Sequence, residues 1–362
     1  MRLIDLPPSK SLANRTLVAM AVRKKPLPEP DATWSDDMRA MHRVLLGEGD
    51  AGAAGTAFRF GMAYWAAQEG ESIHLTGTTR LRERPIEGLV KGLQDLGADL
   101  TRQKDGSWKI HGRKLRGGAL TMDASVSSQF ISALYLIEPC MAKKLSLKLE
   151  GLPVSAPFIA MTQQVMQEVV WPVEADWSAG IVWALRASCM GESICLQGLG
   201  RRSIQGDAIW SRWGLPLGFS ASYNRHGLII RGLPSRPKEP MVLDLRDCPD
   251  LTQPIAAAGV LMRRPVELTG LQTLNGKEIP RLDALVQALE NVGVRAQAEG
   301  AHSLTFDSST WNPTEAVHAV DPQDDHRMAF FWALIGLEQP VEWTGETTVS
   351  KSYPHFWADW NV

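Results

Sequence analysis

Two patterns of apolar and polar positions recur along this chain, and each predicts a different kind of helix. Residues 73–100 and 266–295 both contain a short apolar run typical of a β-strand, then Leu-Thr-Gly, a basic turn with proline, and an amphipathic helix that a glycine ends. The apolar side chains on one face of these helices are Ile86, Leu89, Leu93 and Leu96 in the first copy and Leu282, Leu285 and Leu289 in the second. The chain therefore contains an internal structural repeat.

The second pattern is a short polar cluster followed by a helix of small and strongly apolar residues. It begins near Ser127, Asp176, Asp250 and Asp325. A polar residue that caps a helix apolar on nearly all sides is typical of a helix buried in the core. Strands and two kinds of helix thus alternate, which predicts an α/β protein made of two similar halves.

The stretch between Asp37 and Gly55 is short for a repeat and rich in glycine, with Gly47, Gly49 and Gly52 close together. Glycine clusters favour turns. We therefore expect a tight turn here rather than another strand and helix.

Composition narrows the class of protein. A chain of 362 residues predicts two domains. Its formal net charge of −2 gives no global attraction to nucleic acid or to a membrane surface. The start of the chain lacks a secretory pattern, and no apolar run is long enough to span a membrane. The four cysteines show no metal-type spacing, so we expect reduced thiols in a cytoplasmic protein. No metal-binding motif is present, and we expect no metal site.

Basic residues in the first half lie within short polar or glycine-rich clusters at predicted helix starts. Lys10, Ser11 and Arg15 share one helical face and together can bind a phosphate or a carboxylate, although a capped and solvated first turn fits as well. The small residues around Gly55 allow a ligand to approach the backbone closely, or form an ordinary turn. Ser127-Ser128-Gln129 is either an anion subsite or a helix cap.

The second half adds carboxylates to the basic residues. Asp250 opens a buried helix, where an unpaired carboxylate is costly, and it is either a general base or a cap. Lys277 and Arg281 are four residues apart with Glu278 beside them, which suits either a proton relay or an exposed ion-pair network. The remaining polar clusters are Asp325-His326-Arg327 and Lys351. Scattered cations of this kind predict a substrate with several negative charges.

Taken in order, these segments resemble the 5-enolpyruvylshikimate-3-phosphate synthases. The matching strings are PSKSLANR, AAGTAFR, RLRERPIEGLV, VSSQF, SAPF, QGD, DCPDLTQPIA, KEIPRL, DDHRMA and KSYP. The resemblance implies a two-domain inverted α/β barrel of six βαβαββ repeats. One domain would span residues 9–173 and the other residues 1–8 and 174–362, with the active site in the cleft between them.

The resemblance also implies a reaction and its residues. The enolpyruvyl group of phosphoenolpyruvate would pass to the 5-hydroxyl of shikimate 3-phosphate, with loss of phosphate and without a cofactor. The implied catalytic residues are Asp250, Glu278 and Lys10. The implied shikimate 3-phosphate residues are Lys10, Ser11, Arg15, Ser127, Ser128, Gln129, Ser155, Asp250, Thr273 and Lys277. The implied phosphoenolpyruvate residues are Lys10, Gly55, Arg80, Gln129, Arg281, His326, Arg327 and Lys351.

Further expectations follow from the resemblance. The two substrates would be the only partners of a monomer that binds neither nucleic acid nor membrane, and glyphosate would compete with phosphoenolpyruvate. The sequence departs from the family pattern at Ala53, Phe158, Thr273 and Pro280. These departures leave two alternatives open: an enolpyruvyl transferase with a different acceptor, and a non-catalytic anion-binding homologue.

Overall fold

The computed structural model describes residues 1–151 and 154–361. The chain folds into two compact units. The N-terminal unit is Pro8–Val173, and the C-terminal unit is Glu174–Val362 together with Met1–Pro7. Within the described residues, no helix is both long and apolar enough to cross a membrane.

Strands and helices alternate along both units, as the sequence predicts. The strands are β1 (Arg2–Asp5), β2 (Ser72–Leu75), β3 (Asp99–Arg102), β4 (Trp108–His111), β5 (Gly118–Asp123), β6 (Leu145–Glu150), β7 (Ser193–Gln197), β8 (Phe219–Tyr223), β9 (Gly227–Gly232), β10 (Met241–Asp244), β11 (Pro265–Thr269), β12 (Ala296–Glu299), β13 (Ser303–Asp307), β14 (His318–Val320) and β15 (Val341–Trp343). The α-helices are α1 (Lys10–Val22), α2 (Asp36–Leu45), α3 (Gly55–Ala66), α4 (Thr79–Glu83), α5 (Glu87–Asp95), α6 (Ser128–Ile137), α7 (Ala156–Gln167), α8 (Trp177–Met190), α9 (Thr252–Leu261), α10 (Arg281–Asn291), α11 (His326–Ile335) and α12 (Phe356–Trp360). The 3-10 helices are Glu138–Cys140, Gly206–Arg212, Pro249–Leu251, Leu274–Gly276 and Glu346–Lys351.

The βαβαββ repeat is complete between β10 and β13. β10 pairs in parallel with β11 across α9, and the chain then returns through α10 to the antiparallel strands β12 and β13, which gives the order β10-β11-β13-β12. The sheet β1-β7-β9-β8 has the same form, with the 3-10 helix Gly206–Arg212 in place of the second helix. The α/β prediction is confirmed.

The other sheets are shorter versions of this repeat. Among the described residues, β2, β4 and β3 form a three-stranded sheet, while β5-β6 and β14-β15 are parallel pairs. The first strand before α3 is reduced to one parallel bridge between Asp50 and Thr76. The repeat therefore varies in its strands more than in its buried helices.

Two fully buried helices lie in the core of the C-terminal unit. All ten residues of α9 and of α11 are buried, so both helices are surrounded by protein on every side. The amphipathic helices α5 and α10 cover the sheets, and the leucines predicted to share one face are all buried. This placement follows from the two sequence patterns.

The prediction of a simple turn before Gly55 is wrong in its first part. Residues Asp36–Leu45 form the helix α2. Ser35 caps this helix by accepting a hydrogen bond from the backbone N–H of Met38, and Asp36 and Asp37 lie in its first turn, where the helix dipole favours negative charge. Only the residues that follow Leu46 form the glycine-rich turn.

Candidate active site

The N-terminal unit contains a buried cation in the second turn of α1. Arg15 is only 2% exposed, and its Nε donates a hydrogen bond to Thr162 Oγ1 at 2.8 Å. Its guanidinium also lies over the rings of Phe60 and Phe158. No carboxylate of the described residues pairs with it, and burial lowers its pKa to about 9. A guanidinium held in this way is ready to bind an anion.

Lys10 and Ser11 lie one turn before Arg15 on the same helix. Lys10 Nζ is 3.1 Å from a carboxylate oxygen of Asp37 in α2, so the helix that the sequence analysis missed orients a predicted catalytic lysine. The backbone oxygen of Ser11 accepts a hydrogen bond from Arg15 Nη1 at 2.7 Å. The structure thus brings these three predicted binding residues into one small surface.

Gly55 begins α3 and is bordered by two buried arginines. A Cβ atom at position 55 would lie 2.7 Å from Nη1 of Arg84 and 2.9 Å from Nη1 of Arg59. Arg59 Nη1 also donates a hydrogen bond to Gln129 Oε1 at 2.9 Å, which connects Gly55 to the start of α6. Positive charge is therefore concentrated around a helix N-terminus without side-chain obstruction, an arrangement suited to anions.

The sequence patterns do not assign Arg59 and Arg84 to ligand binding. The family resemblance implies Arg80 instead. Arg80 is exposed on the short helix α4, whereas Arg84 is 8% exposed and lies against Gly55. Arg80, Arg82 and Arg84 alternate with other residues, and this pattern does not show which of the three side chains turns inward. The helical repeat from Gly55 to Arg59 offered a signal, because residues four apart share one face.

The predicted phosphate-binding serines all lie at helix starts. Ser127 caps α6 by accepting a hydrogen bond from the backbone N–H of Gln129, and Ser128 follows as the first helical residue. Ser155 precedes α7 with a left-handed backbone, φ 53°, and its side chain makes no capping hydrogen bond. Its hydroxyl is therefore not used to cap the helix that it precedes.

The C-terminal unit contains a cluster of charges centred on Arg281. This guanidinium is 2% exposed, and each of its nitrogens faces a different carboxylate. Nε is 2.7 Å from Asp325, Nη1 is 2.7 Å from Asp250, and Nη2 is 2.8 Å from Glu278. Lys277 Nζ lies 3.2 Å from the same oxygen of Asp250. The cluster joins two predicted catalytic carboxylates to two predicted binding cations.

Asp250 is ionised in this cluster. Burial alone would raise the pKa of its carboxyl, but Lys277, Arg281 and Arg327 outweigh that effect and hold the pKa well below its ordinary value. The carboxylate is 19% exposed and so remains accessible to a ligand. An ionised and accessible carboxylate can accept a proton, and the same cations can hold an anion beside it.

The segment before α11 aligns the rest of the cluster. Gln323 and Asp324 both have left-handed backbones, φ 54° and 59°, an uncommon conformation for residues other than glycine and one often found at functional sites. Asp325 then caps the helix by accepting hydrogen bonds from the backbone N–H groups of Arg327 and Met328. Lys351 Nζ donates a hydrogen bond to the backbone oxygen of Asp324 at 3.0 Å. Lys351 is therefore brought to the turn that begins α11.

Two further predicted binding residues, His326 and Thr273, and the departure at Pro280 also belong to the C-terminal unit. His326 is buried and packs edge-on against Phe330. Thr273 has a buried hydroxyl without a hydrogen-bond partner among the described residues. Pro280 precedes α10, and Asn275 caps that helix instead by accepting a hydrogen bond from the backbone N–H of Leu282 at 3.0 Å. The departure from the family pattern at Pro280 therefore leaves this helix capped.

Asp207 is a buried carboxyl that the sequence analysis did not assign to the site. It is 3% exposed, and it accepts a hydrogen bond from Ser178 Oγ. Burial, reinforced by the negative charge of Asp250, raises the pKa of Asp207 to about 7. The string Gln205-Gly206-Asp207 at the start of a repeat helix was the available signal.

The raised pKa of Asp207 predicts a pH-dependent gain in stability for an Asp207→Asn variant. The unfolded chain releases this proton near pH 4, whereas the native state retains it up to about pH 7. The free energy of unfolding of the wild type therefore falls, relative to the variant, as the pH rises through this window. Urea unfolding should show the variant more stable by roughly 2–4 kcal/mol at pH 8, with the difference vanishing at pH 4. A difference independent of pH would contradict this expectation.

Comparison with known proteins identifies the family to which this chain is similar. The model of EPSP synthase (3-phosphoshikimate 1-carboxyvinyltransferase) matches residues 47–170 and 167–360. A 3-phosphoshikimate 1-carboxyvinyltransferase of Bacteroides fragilis is 34% identical over 98% of this chain and 93% of its own length. One of Photobacterium profundum is 28% identical over 98% of this chain and 94% of its own length.

Solved structures agree at the level of the fold. EPSP synthase from Acinetobacter baumannii superposes with a TM-score of 0.72 at 17% identity, covering 99% of this chain and 94% of its own. The enolpyruvyl transferase NikO from Streptomyces tendae has a TM-score of 0.72 at 13% identity, covering 100% of this chain and 94% of its own. Because the family model matches residues 47–360 and a relative is 34% identical over 98% of the chain, the chain belongs to the EPSP synthase family.

Proposed function

We propose that this protein is a transferase that moves the enolpyruvyl group of phosphoenolpyruvate to the 5-hydroxyl of shikimate 3-phosphate and releases phosphate. The observation that carries the proposal is the cluster around Arg281, in which Asp250 is held ionised beside Lys277 and Arg327, and Glu278 lies 2.8 Å from the Arg281 guanidinium. It combines carboxylates for proton transfer with cations for an anionic substrate. The family supports the choice of substrates.

The reaction adds the acceptor hydroxyl to the enol and then eliminates phosphate. In the addition, Glu278 gives a proton to the methylene carbon of phosphoenolpyruvate while the acceptor oxygen bonds to the neighbouring carbon, and Asp250 takes the hydroxyl proton. In the elimination, the methyl carbon returns a proton to the carboxylate of Glu278, the double bond re-forms, and the C–O bond to phosphate breaks. The phosphate leaves with the proton that Asp250 took from the hydroxyl. Arg281 and Lys277 lower the basicity of Asp250. The hydroxyl proton therefore transfers to Asp250 as the new C–O bond forms, because bond formation makes the hydroxyl more acidic.

The cations have a separate task in this proposal. Phosphoenolpyruvate and shikimate 3-phosphate repel each other, and fixed guanidinium and ammonium groups offset that repulsion at reacting distance. We assign Arg15, Lys10 and the serines that precede α6 and α7 to shikimate 3-phosphate. We assign Gly55, Arg281, Arg327 and Lys351 to phosphoenolpyruvate.

The proposal is tested by phosphate release from purified protein given both substrates. We expect turnover with shikimate 3-phosphate and much less with shikimate, which lacks the anion that Arg15 and the serines would bind. Formation of the enolpyruvyl product should match the phosphate released. Phosphoenolpyruvate consumption only with another hydroxyl acceptor would favour the alternative in which Phe158, beside Arg15, reshapes the acceptor pocket.

We further propose that the protein acts as a monomer in the cytoplasm. All four cysteines are free, in keeping with a reducing compartment. Light scattering after size-exclusion chromatography should give a mass near 39.8 kDa. A mass of twice that value at micromolar concentration would reject the monomer.

Gly55→Ala is expected to weaken the binding of both phosphoenolpyruvate and glyphosate. The added Cβ would press on the guanidinium groups of Arg84 and Arg59, so these must move away from the helix start that would bind the anion. Overpacking of this kind should raise the KM for phosphoenolpyruvate roughly 10-fold, with a comparable loss of competitive inhibition by glyphosate. Gly200→Ala is the control, since its nearest neighbour would be the backbone oxygen of Arg202 at 4.0 Å. Equal kinetics in the two variants would remove Gly55 from the binding site.

A further inference from the structure

We propose that Asp207 is a positioning residue that orients Arg327 through Ser178 and thereby sets the affinity for phosphoenolpyruvate. The inference rests on the proposed function, in which Arg327 binds that substrate. It assigns a task to Asp207, a buried carboxyl of the C-terminal unit that the proposed reaction does not otherwise use.

Few polar contacts fix the guanidinium of Arg327 within the cluster around Arg281. Its Nη2 is 3.8 Å from Asp250, at the long end of an ion pair, and its Nε is buried without a hydrogen-bond partner among the described residues. The guanidinium also faces the ring of Phe330, which gives it no directional contact. Nη1 makes the one hydrogen bond of this guanidinium in the described part of the chain, to the backbone oxygen of Ser178 at 3.2 Å. The orientation of Arg327 therefore depends on where that oxygen lies.

The position of the Ser178 oxygen depends in turn on the start of α8. Asp176 caps this helix through the backbone N–H of Ala179, and the N–H of Trp177 donates to Gln205 Oε1 at 3.1 Å. Ser178 Oγ then donates to Oδ2 of Asp207, from the 3-10 helix Gly206–Arg212. Asp207 therefore binds the side chain of the residue whose backbone oxygen holds Arg327.

A carboxyl is a costly group to bury for this purpose alone. The second oxygen of Asp207, Oδ1, is buried without a hydrogen-bond partner among the described residues. A buried and half-satisfied carboxyl lowers stability, so a structural role would be filled better by a smaller polar or an apolar residue. Its place beside Arg327 and Asp250 is what a positioning role requires.

The test measures kcat and KM in variants of Asp207 and of its partner. Asp207→Ala and Ser178→Ala both break the connection, and each should raise the KM for phosphoenolpyruvate by roughly 5–20-fold while the KM for shikimate 3-phosphate stays within about 2-fold. Asp207→Asn keeps an oxygen that can accept from Ser178 and should restore a KM near that of the wild type. Ser211→Ala is the control, because Ser211 lies on the same 3-10 helix but bonds only to the backbone oxygen of Ala208 among the described residues.

A double-mutant cycle separates positioning from a general loss of structure. In an Arg327→Ala background, adding Asp207→Ala should change the KM for phosphoenolpyruvate by no more than about 2-fold, because the group that it positions is already absent. Additive effects, or equal increases in the KM for both substrates, would overturn the positioning role and leave the proposed function intact. A wild-type protein that releases no phosphate from the two substrates would reject the proposed function and this inference together.

Discussion

In an Asp250→Asn variant, kcat is expected to fall by about 10²–10⁴-fold, the range typical of losing a general base. The amide keeps the size of the side chain and still accepts a hydrogen bond, but it cannot take the proton of the attacking hydroxyl. Binding should change much less, because Arg281 keeps its contacts to Asp325 and Glu278. Steady-state kinetics together with direct measurement of shikimate 3-phosphate binding would check both expectations.

Two further variants test whether the fall in kcat comes from the chemical step. Asp283→Asn is the matched control, since Asp283 is exposed in the first turn of α10 and contacts only Asn275 among the described residues. Its kinetics should equal those of the wild type. Arg327→Ala should raise the KM for phosphoenolpyruvate, because it removes a predicted binding group instead of the base. Near-normal turnover in Asp250→Asn would leave Asp250 only the role of an ion-pair partner.

The buried helices and the amphipathic helices could be predicted because their patterns are local. The faces that contain Leu89 and Leu285 repeat at helical spacing, and the polar caps at Ser127 and Asp325 stand directly before apolar runs. Such features depend on a few neighbouring residues, so a single sequence reveals them. The helix α2 was missed because the glycines that follow it dominated the interpretation of the whole stretch.

The arrangement of charges could be predicted only in part. Asp250, Glu278 and Arg281 are all among the predicted residues. The sequence did not predict that the guanidinium of Arg281 contacts both of these carboxylates and Asp325 as well. The contact with Asp325 spans 44 residues and the contact with Asp250 spans 31, and no local pattern specifies such pairings. The inward turn of Arg84 has the same cause, because its direction depends on Gly55 in another segment.

The largest effect on stability is expected from Arg281→Met. The substitution keeps much of the apolar stem but leaves three carboxylates without their shared cation, and one of them, on Asp325, is fully buried. Removing one partner of a buried ion pair typically costs about 3–5 kcal/mol, because the remaining charge is left unpaired in a poorly solvated place. Urea unfolding at pH 7 should show a loss of this size, together with loss of phosphoenolpyruvate binding.

The pH dependence of this loss gives its cause. Without Arg281, the carboxylates of Asp250, Glu278 and Asp325 repel one another, and at pH 5 the native state of the variant can neutralise part of this charge by binding protons. The difference in free energy of unfolding from the wild type should therefore shrink as the pH falls from 7 to 5. Arg246→Met is the control, because its ion pair with Asp244 is exposed and such pairs contribute about 0–1 kcal/mol. A deficit that does not change with pH would point to lost packing around the arginine stem instead of unpaired carboxylates.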